Sequence, residues 1–591
     1  MTEIRGQMQL PDYLMLAGYF VLMLGVGGYF YRYMKGIKDY FSGSNSIPWW
    51  LSGVSFYMTS FSVAAFVFYP SLCYRYGFVG ITLMWITVPA TLFSAGLFAK
   101  RWRRARIDSP VEYLETRFGP ALRQVFAWQG IPVIIIDDAI KLLATGTFVS
   151  ICTGLPKSSS IILCGGIMLV YTFMGGLWAV AVTDFIQFIV LGIGLMVILP
   201  LSIGKAGGIT AILNNSPEGF FNFSAPEFPW SYILPLILLY ALSWSVNWAL
   251  VQRYYCVPRE KDALKVGWMV MALYTFGPPL MFFPAIAARQ FLPQLSDAGD
   301  VYPTLCAQLL PAGMLGLAIA AMFAATMSTL SGHYNVCSSV LTNDVYRRLI
   351  RPGASQWELV QIGRLMTIVI GVIALGVSLI MAQGKAEDLF RIMVTLFSIA
   401  TAPVAIPMII GLVSRRFNSF CAMTGFFFGI ILGLGLFALS RYNAEVSFLG
   451  LTWKPETEDI LFGHLALKME IVMLLGTALF TFTGMLMGMA LGAWIKPMTQ
   501  EEQSRIDAFI QRVETPIGQL ESDDAIMRES GFMLSPFRVV GVCLIAIALM
   551  MMAVVPWAKG LAFAVDLGLS LVLLIIGGIL FKTSRSNIPE S

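Results

Sequence analysis

The chain has 591 residues, 57% of them hydrophobic and only 12% charged, with a mean hydropathy of +0.75. A soluble globular chain carries about 25% charged residues, so this composition excludes a water-soluble protein and points to a bilayer, where lipid-facing residues need no burial. The net charge of +5 and the lack of basic clusters interleaved with stacking aromatics give no reason to expect nucleic acid, and eight scattered cysteines without a CxxC pair, with only His333 and His464 as histidines, argue against a disulfide framework or a zinc site.

A spanning helix needs about 20 mostly apolar residues. On that criterion the chain predicts about fifteen spans, near 10–32, 48–76, 80–99, 125–153, 159–176, 180–204, 232–251, 264–291, 307–347, 359–383, 389–411, 418–440, 469–493, 538–556 and 560–582. The stretch 307–347 is too long for one straight span, so part of it should protrude or bend. The first stretch does not read as a cleaved signal, because Arg32, Lys35 and Lys38 follow it while only Arg5 precedes it. Loop charge sets orientation, since cytoplasmic loops carry the Lys and Arg excess. With the N-terminus outside and the C-terminus inside, 27 of the 39 basic residues fall on the cytoplasmic side.

Polar residues inside spans are costly and therefore candidates for function. The second span, WWLSGVSFYMTSFSVAAFVFYPSLCYRYG, carries Thr59, Ser60 and Ser62 near its middle, followed by Tyr69-Pro70. Pro70 removes a backbone donor and frees a carbonyl, which would break the helix at the midplane in the way transporters expose carbonyls to a cation. The alternative is that these hydroxyls bond back to the preceding turn. The fourth span holds Asp137, Asp138 and Lys141. Asp137 and Lys141 share a helix face and can pair, which leaves Asp138 without a local partner; alternatively these residues lie near an interface. The sixth span opens GGLWAVAVTDFIQF, where Asp184 is either a helix cap with Thr183 or a lone carboxylate in an apolar run that needs a cation or several donors. The ninth, AATMSTLSGHYNVCSSVLTNDVYR, crowds Ser328, Thr329 and Ser331 close to Ala325. Hydroxyls and carbonyls without an acidic cage suit a hard monovalent cation; hydroxyls at a helix contact are the other reading. The loop 494–537 is the one sizeable cytoplasmic insertion, and its residues 499–513 read as an amphipathic helix, lying on the membrane surface or solvated.

These segments resemble the sodium/solute symporter family, which holds sodium-driven sugar, proline, pantothenate and sialic acid carriers. The resemblance runs over roughly residues 8 to 490. GGLWAVAVTDFIQF (Gly175 to Phe188) looks like the family's fifth core helix, and AATMSTLSGHYNVCSSVLTNDVY (Ala324 to Tyr346) like the eighth. IPWWLSGVSFYMTSFS is similar to the first, and WSVNWALVQRYY (Trp244 to Tyr255) to the sixth. The resemblance implies an all-α integral membrane fold built on two inverted five-helix repeats (LeuT-like), near 48–204 and 232–411. Helices at 10–32 and within 418–582 would be peripheral, and 1–591 one transporter domain.

It also implies sodium as the co-transported ion. Backbone carbonyls of Met58, Phe61 and Ala325 and the hydroxyls of Ser328 and Thr329 would hold it, with Asp184 and Ser331 at a second sodium or exit position, although Gly332 stands where a further serine occurs. The solute would sit among Ser60, Ala64, Ala65, Phe66, Tyr69, Trp244, Asn247 and Thr395, with Asp137 at one wall. Ala64, Ala65 and Val394 replace the long polar residues of the sugar carriers. The implied function is sodium-coupled import of a small polar solute: a sugar, polyol or sugar derivative, with an amino acid or amine as the alternative. The location would be a cell membrane, that of a bacterial inner membrane. A channel would need a continuous polar pore, a sensor would need a signalling domain, and an enzyme would need paired acids, HExxH or GxSxG; the sequence offers none of these.

Overall fold

The computed structural model describes residues 8–31, 45–60, 62–107, 110–171, 177–293, 295–383, 386–442, 445–448, 451–455, 457, 459–462, 465–520, 536–558 and 560–583. It is 82% helical. In chain order the helices are α1 (Leu10–Tyr31), α2 (Trp49–Ser60), α3 (Val63–Tyr76), α4 (Val79–Arg104), α5 (Pro110–Phe118), α6 (Pro120–Thr153), α7 (Lys157–Tyr171) and α8 (Leu177–Lys205). They continue as α9 (Ile209–Asn215), α10 (Trp230–Val246), α11 (Trp248–Tyr255), α12 (Glu260–Ala288), α13 (Val301–Leu309), α14 (Met314–Val340), α15 (Gln356–Met381), α16 (Ala386–Gly411) and α17 (Ser419–Ser440). After the strands come α18 (Met469–Ile495), α19 (Gln500–Glu514), α20 (Pro536–Val554) and α21 (Leu561–Thr583).

Among the described residues, eleven helices are long and apolar enough to cross a membrane; two bent pairs raise the number to 13. The other two expected spans coincide with α6 and α7. α6 is 34 residues long but carries Asp137, Asp138 and Lys141 in its middle, and α7 has only 15 residues. The stretch 307–347 divides as expected of its length: α13 ends at Leu309, α14 begins at Met314, and α14 runs on into a π-helical segment, Leu341–Ile350.

The first bent pair, α2 and α3, turns by 64°, and the second, α10 and α11, by 57°. The break in the first is not at Pro70. It falls between Ser60 and Val63, and α3 continues straight through Pro70. Ser62 caps the new helix by accepting a hydrogen bond from the Ala64 amide at 3.3 Å, the job a serine does at a helix start. In the second pair the Asn247 side chain caps α11 through the Leu250 amide at 3.2 Å. Both breaks are therefore specified by a polar cap rather than by proline. α2 packs on α8 and α12, α3 on α6 and α12, and α14 on α1, α6, α8 and α15, so the first broken helix meets α14 within one continuous apolar core.

Three regions outside the bundle differ from a purely helical picture. Between α17 and α18 the chain forms a four-stranded antiparallel meander: β1 (Val446–Phe448), β2 (Leu451–Lys454), β3 (Asp459–Phe462) and β4 (Leu465–Lys468). Trp453 pairs with Ile460 in its register, and both bury against Met469 and Met473 of α18, which gives the short strands their own apolar anchor. On the same side as the α3 terminus, Gly77 adopts φ +76°, and a Cβ there would stand 1.9 Å from the Phe220 carbonyl oxygen. Glycine thus lets the 206–229 segment close over α3, joined by the Phe78 amide to Phe220 O at 2.8 Å.

The helix expected at 499–513 forms as α19, but its apolar face lies neither on lipid nor in solvent. Ile506, Phe509, Ile510 and Val513 are buried against α5 and the end of α4, with the Phe509 ring 5.5 Å from that of Tyr113. Arg106 donates to the carbonyls of Arg512 and Pro516 at 2.8 and 2.9 Å, and so holds the far end of the helix in place.

Candidate functional site

A cavity of about 150 Å³ lies between the two helix breaks. Ser60, Ala64, Ala65 and Tyr69 reach it from the first bent pair, Trp244 and Asn247 from the second, and Asp137 from α6. Phe66 and Thr395, expected in the same wall, lie outside it. Successive helix residues are about 100° apart. Ala64, Ala65, Phe68 and Tyr69 face the cavity, which turns Phe66 away to stack near Tyr302 and Phe282 at 5.1 and 6.2 Å. On α16 the cavity is met by Met393, Val394 and Phe397, which leaves Thr395 on the other side.

The structure adds residues that the sequence did not single out. Tyr240 and Tyr274 line the cavity with Tyr69 and Trp244. The Tyr69 and Tyr240 hydroxyls are 3.1 Å apart, Ser60 Oγ is hydrogen-bonded to the Tyr274 hydroxyl, and the Trp244 and Tyr274 rings are 5.0 Å apart. The wall is thus a belt of flat rings with polar edges, suited to a ring or a cation. The opposite wall is ionic. Lys141 Nζ is 2.5 Å from Asp137 Oδ2, the pairing expected from their spacing. Asp138 is fully buried, and its partner comes from far along the chain: Oδ1 is 2.6 Å from His333 Nδ1 on α14. Asp137, Asp138 and His333 bring ligating atoms within 4.8 Å of one another. The Lys141 ammonium already neutralises Asp137, so the group reads as an ion pair beside a buried Asp138–His333 hydrogen bond rather than a metal cage.

Beneath the cavity floor, α14 meets the first break. Thr326 Oγ1 accepts from the Val63 amide at 3.2 Å and lies 3.3 Å from Thr145 Oγ1, which ties the start of α3 to α14 and α6. Met58 is buried two residues before α2 ends, Ala325 falls within α14, and Ser328 and Thr329 are buried one turn on, with Thr329 reaching the cavity. Phe61 lies outside the described residues. Ser331 Oγ donates back to the Ser328 carbonyl at 3.0 Å, the local bond that hydroxyls make in membrane helices.

Asp184 is not a helix cap. It sits seven residues beyond Leu177 in α8 and is wholly buried, while Thr183 bonds back to Val180. Its Oδ2 accepts from Ser55 Oγ at 2.6 Å, and the guanidinium of Arg253 on α11 stands 3.9 Å away. Arg253 donates Nε to Ser55 Oγ at 3.1 Å and Nη2 to Thr59 Oγ1 at 3.0 Å. Arg253 is buried, and the apolar residues beside it in WALVQRYY are the signal that could have shown this.

The profile of the sodium:solute symporter family matches residues 40–429. The chain belongs to that family. It is a multi-pass membrane transporter and not an enzyme, and sodium is the ion it carries with a small solute. A sodium/sialic acid symporter of Proteus mirabilis is 27% identical over 468 residues, covering 75% of this chain and 92% of the relative. A sodium/glucose cotransporter of Vibrio parahaemolyticus is also 27% identical, over 63% of this chain and 76% of its own. Among solved structures, the substrate-bound outward-open state of a Na+-coupled sialic acid symporter superimposes with a TM-score of 0.67 at 23% identity, over 83% of this chain and 99% of that one. That likeness concerns the fold.

Proposed function

We propose that this symporter imports a small polar organic solute, driven by a sodium gradient, by alternating access from the cavity that lies between its two broken helices. The core consists of two inverted five-helix repeats, near 48–204 and 232–411, within about fifteen spans; 10–32 and 418–582 are peripheral. The N-terminus is outside and the C-terminus inside a cell membrane, that of a bacterial inner membrane. The observation that carries this reading is the facing pair of 64° and 57° bends with one cavity between them, since discontinuous helices at the midplane are where such carriers hold ion and solute.

Sodium is held by the backbone carbonyls of Met58, Phe61 and Ala325 and by the hydroxyls of Ser328 and Thr329, with Asp184 and Ser331 at a second or exit position. The solute is a neutral polyol, sugar or sugar derivative. Ala64 and Ala65 leave room for it, and Tyr69, Trp244, Tyr240 and Tyr274 give it flat faces with hydroxyl edges. An amino acid or amine is the second reading, favoured by the Asp137–Lys141 pair in the wall. The test is Ala65→Trp, which places an indole in a closely packed space. It should abolish uptake while radiolabelled sodium still binds; intact uptake in both Ala64→Trp and Ala65→Trp would move the solute elsewhere.

A further inference from the structure

We propose that Arg253 is the resident counter-cation of Asp184, and that a sodium ion reaching Asp184 loosens it and thereby unties the two broken helices below the cavity. The proposal rests on the sodium-symport reading above.

An ionised carboxylate at this depth needs positive charge or several donors close by. Ser55 donates to Asp184 Oδ2 at 2.6 Å, while Oδ1 is buried and has no well-formed hydrogen bond among the described residues. The Ser328 hydroxyl is also buried and lies within hydrogen-bonding reach of the same carboxylate. Asp184 Oδ1 and Ser328 Oγ are thus two buried hard oxygens beside one another. Arg253 stands on the other side. A contact ion pair between guanidinium and carboxylate measures about 2.7–2.9 Å, but here the gap is 3.9 Å, because Ser55 Oγ accepts from the arginine and donates to the aspartate. The arginine therefore neutralises the carboxylate without occupying it.

The same guanidinium is a mechanical tie. It sits on α11, just past the Asn247 break, and binds Ser55 and Thr59 of α2, just before the Ser60 break. Its Nη1 is anchored on its own helix, at the Ala249 carbonyl (3.1 Å) and Gln252 Oε1 (2.7 Å). A cation between Asp184 Oδ1 and Ser328 Oγ takes up the carboxylate's charge and repels the guanidinium. That weakens the fork to Ser55 and Thr59, which is the contact that α2 and α11 must break to part. Arg253 is a positioning residue in this scheme; it does not contact the solute.

The experiment measures half-saturation and dissociation of radiolabelled sodium on the purified full-length protein. Removing the resident cation should leave Asp184 to sodium alone, so Arg253→Gln should bind sodium more tightly, by roughly tenfold for one charged contact, and release it more slowly. Arg253→Lys keeps the charge without the fork and should stay within about twofold of the parent in half-saturation. In Asp184→Asn/Arg253→Gln the tightening should vanish. Weaker sodium binding in Arg253→Gln, as a purely structural role would give, overturns the proposal. If that variant does not reach the membrane, the lysine variant decides against the neutral pair: sodium binding altered equally in both overturns the proposal, and a parent-like lysine variant upholds it. A parent protein that binds no sodium would overturn the symport reading and this proposal together, whereas normal parental binding with the wrong sign in Arg253→Gln overturns this proposal alone.

Discussion

Ser328 and Thr329 show how much a single position decides. Both are buried on α14, beside Asp184 and the cavity respectively. Ser328→Ala and Thr329→Ala each remove one hydroxyl from the proposed sodium shell. Losing a polar contact in a dry site costs about 1–3 kcal/mol, so sodium affinity should fall roughly ten- to hundredfold in each. Unchanged sodium dependence of uptake in both variants would end the assignment. The intramembrane charges were legible as residues but not as partners. Asp137 and Lys141 could be paired from sequence because they are four apart on one helix. Asp138 could not, since His333 lies 195 positions away and only the packing of α14 on α6 brings it to 2.6 Å. Arg253 escaped for the same reason, its three partners on other helices being spread over α2 and α8.

At the scale of the element, length and hydropathy located the eleven long apolar helices and the two bent pairs, because a bilayer demands long apolar runs and tolerates few alternatives. What it misplaced were the interruptions. Pro70 looked like the breaking point of the second span, yet α3 passes through it; Ser62 and Asn247 mark the bends because each satisfies an amide that a new helix start exposes. The cavity lining shows the same effect on a smaller scale. Phe66 and Thr395 sit one step around their helices from residues that line the cavity, and a rotation of about 100° is invisible in a linear motif. For α19 the amphipathic pattern was correct and its partner was not, since a polar loop gives no hint of the groove between α5 and α4. Phe509→Ala should therefore destabilise the protein by about 3–5 kcal/mol, as buried Phe→Ala changes do, seen as a lower thermal unfolding midpoint in detergent. Exposed Glu501→Ala should leave that midpoint unchanged. Equal midpoints for Phe509→Ala and the parent would mean that α19 is not held by its apolar face.

For the whole molecule, orientation follows from loop charge. Assigning 27 of the 39 basic residues to the cytoplasmic side predicts that the two ends lie on opposite sides. The eight native cysteines are free and buried, so single cysteines introduced at Thr2 and Ser584 can be read with a membrane-impermeant label in intact cells. Thr2 should label from outside and Ser584 only after permeabilisation; both labelling from one side would refute the odd number of spans. Coupling belongs to the same scale, because solute and ion must share one set of moving helices. The direct measurement is uptake of radiolabelled polyols, sugars and amino acids into proteoliposomes holding the purified chain, with and without an inward sodium gradient. Accumulation of one such solute above its external concentration, only while the sodium gradient lasts and abolished by a sodium ionophore, is the predicted result; equilibration at the same rate without sodium would contradict the account.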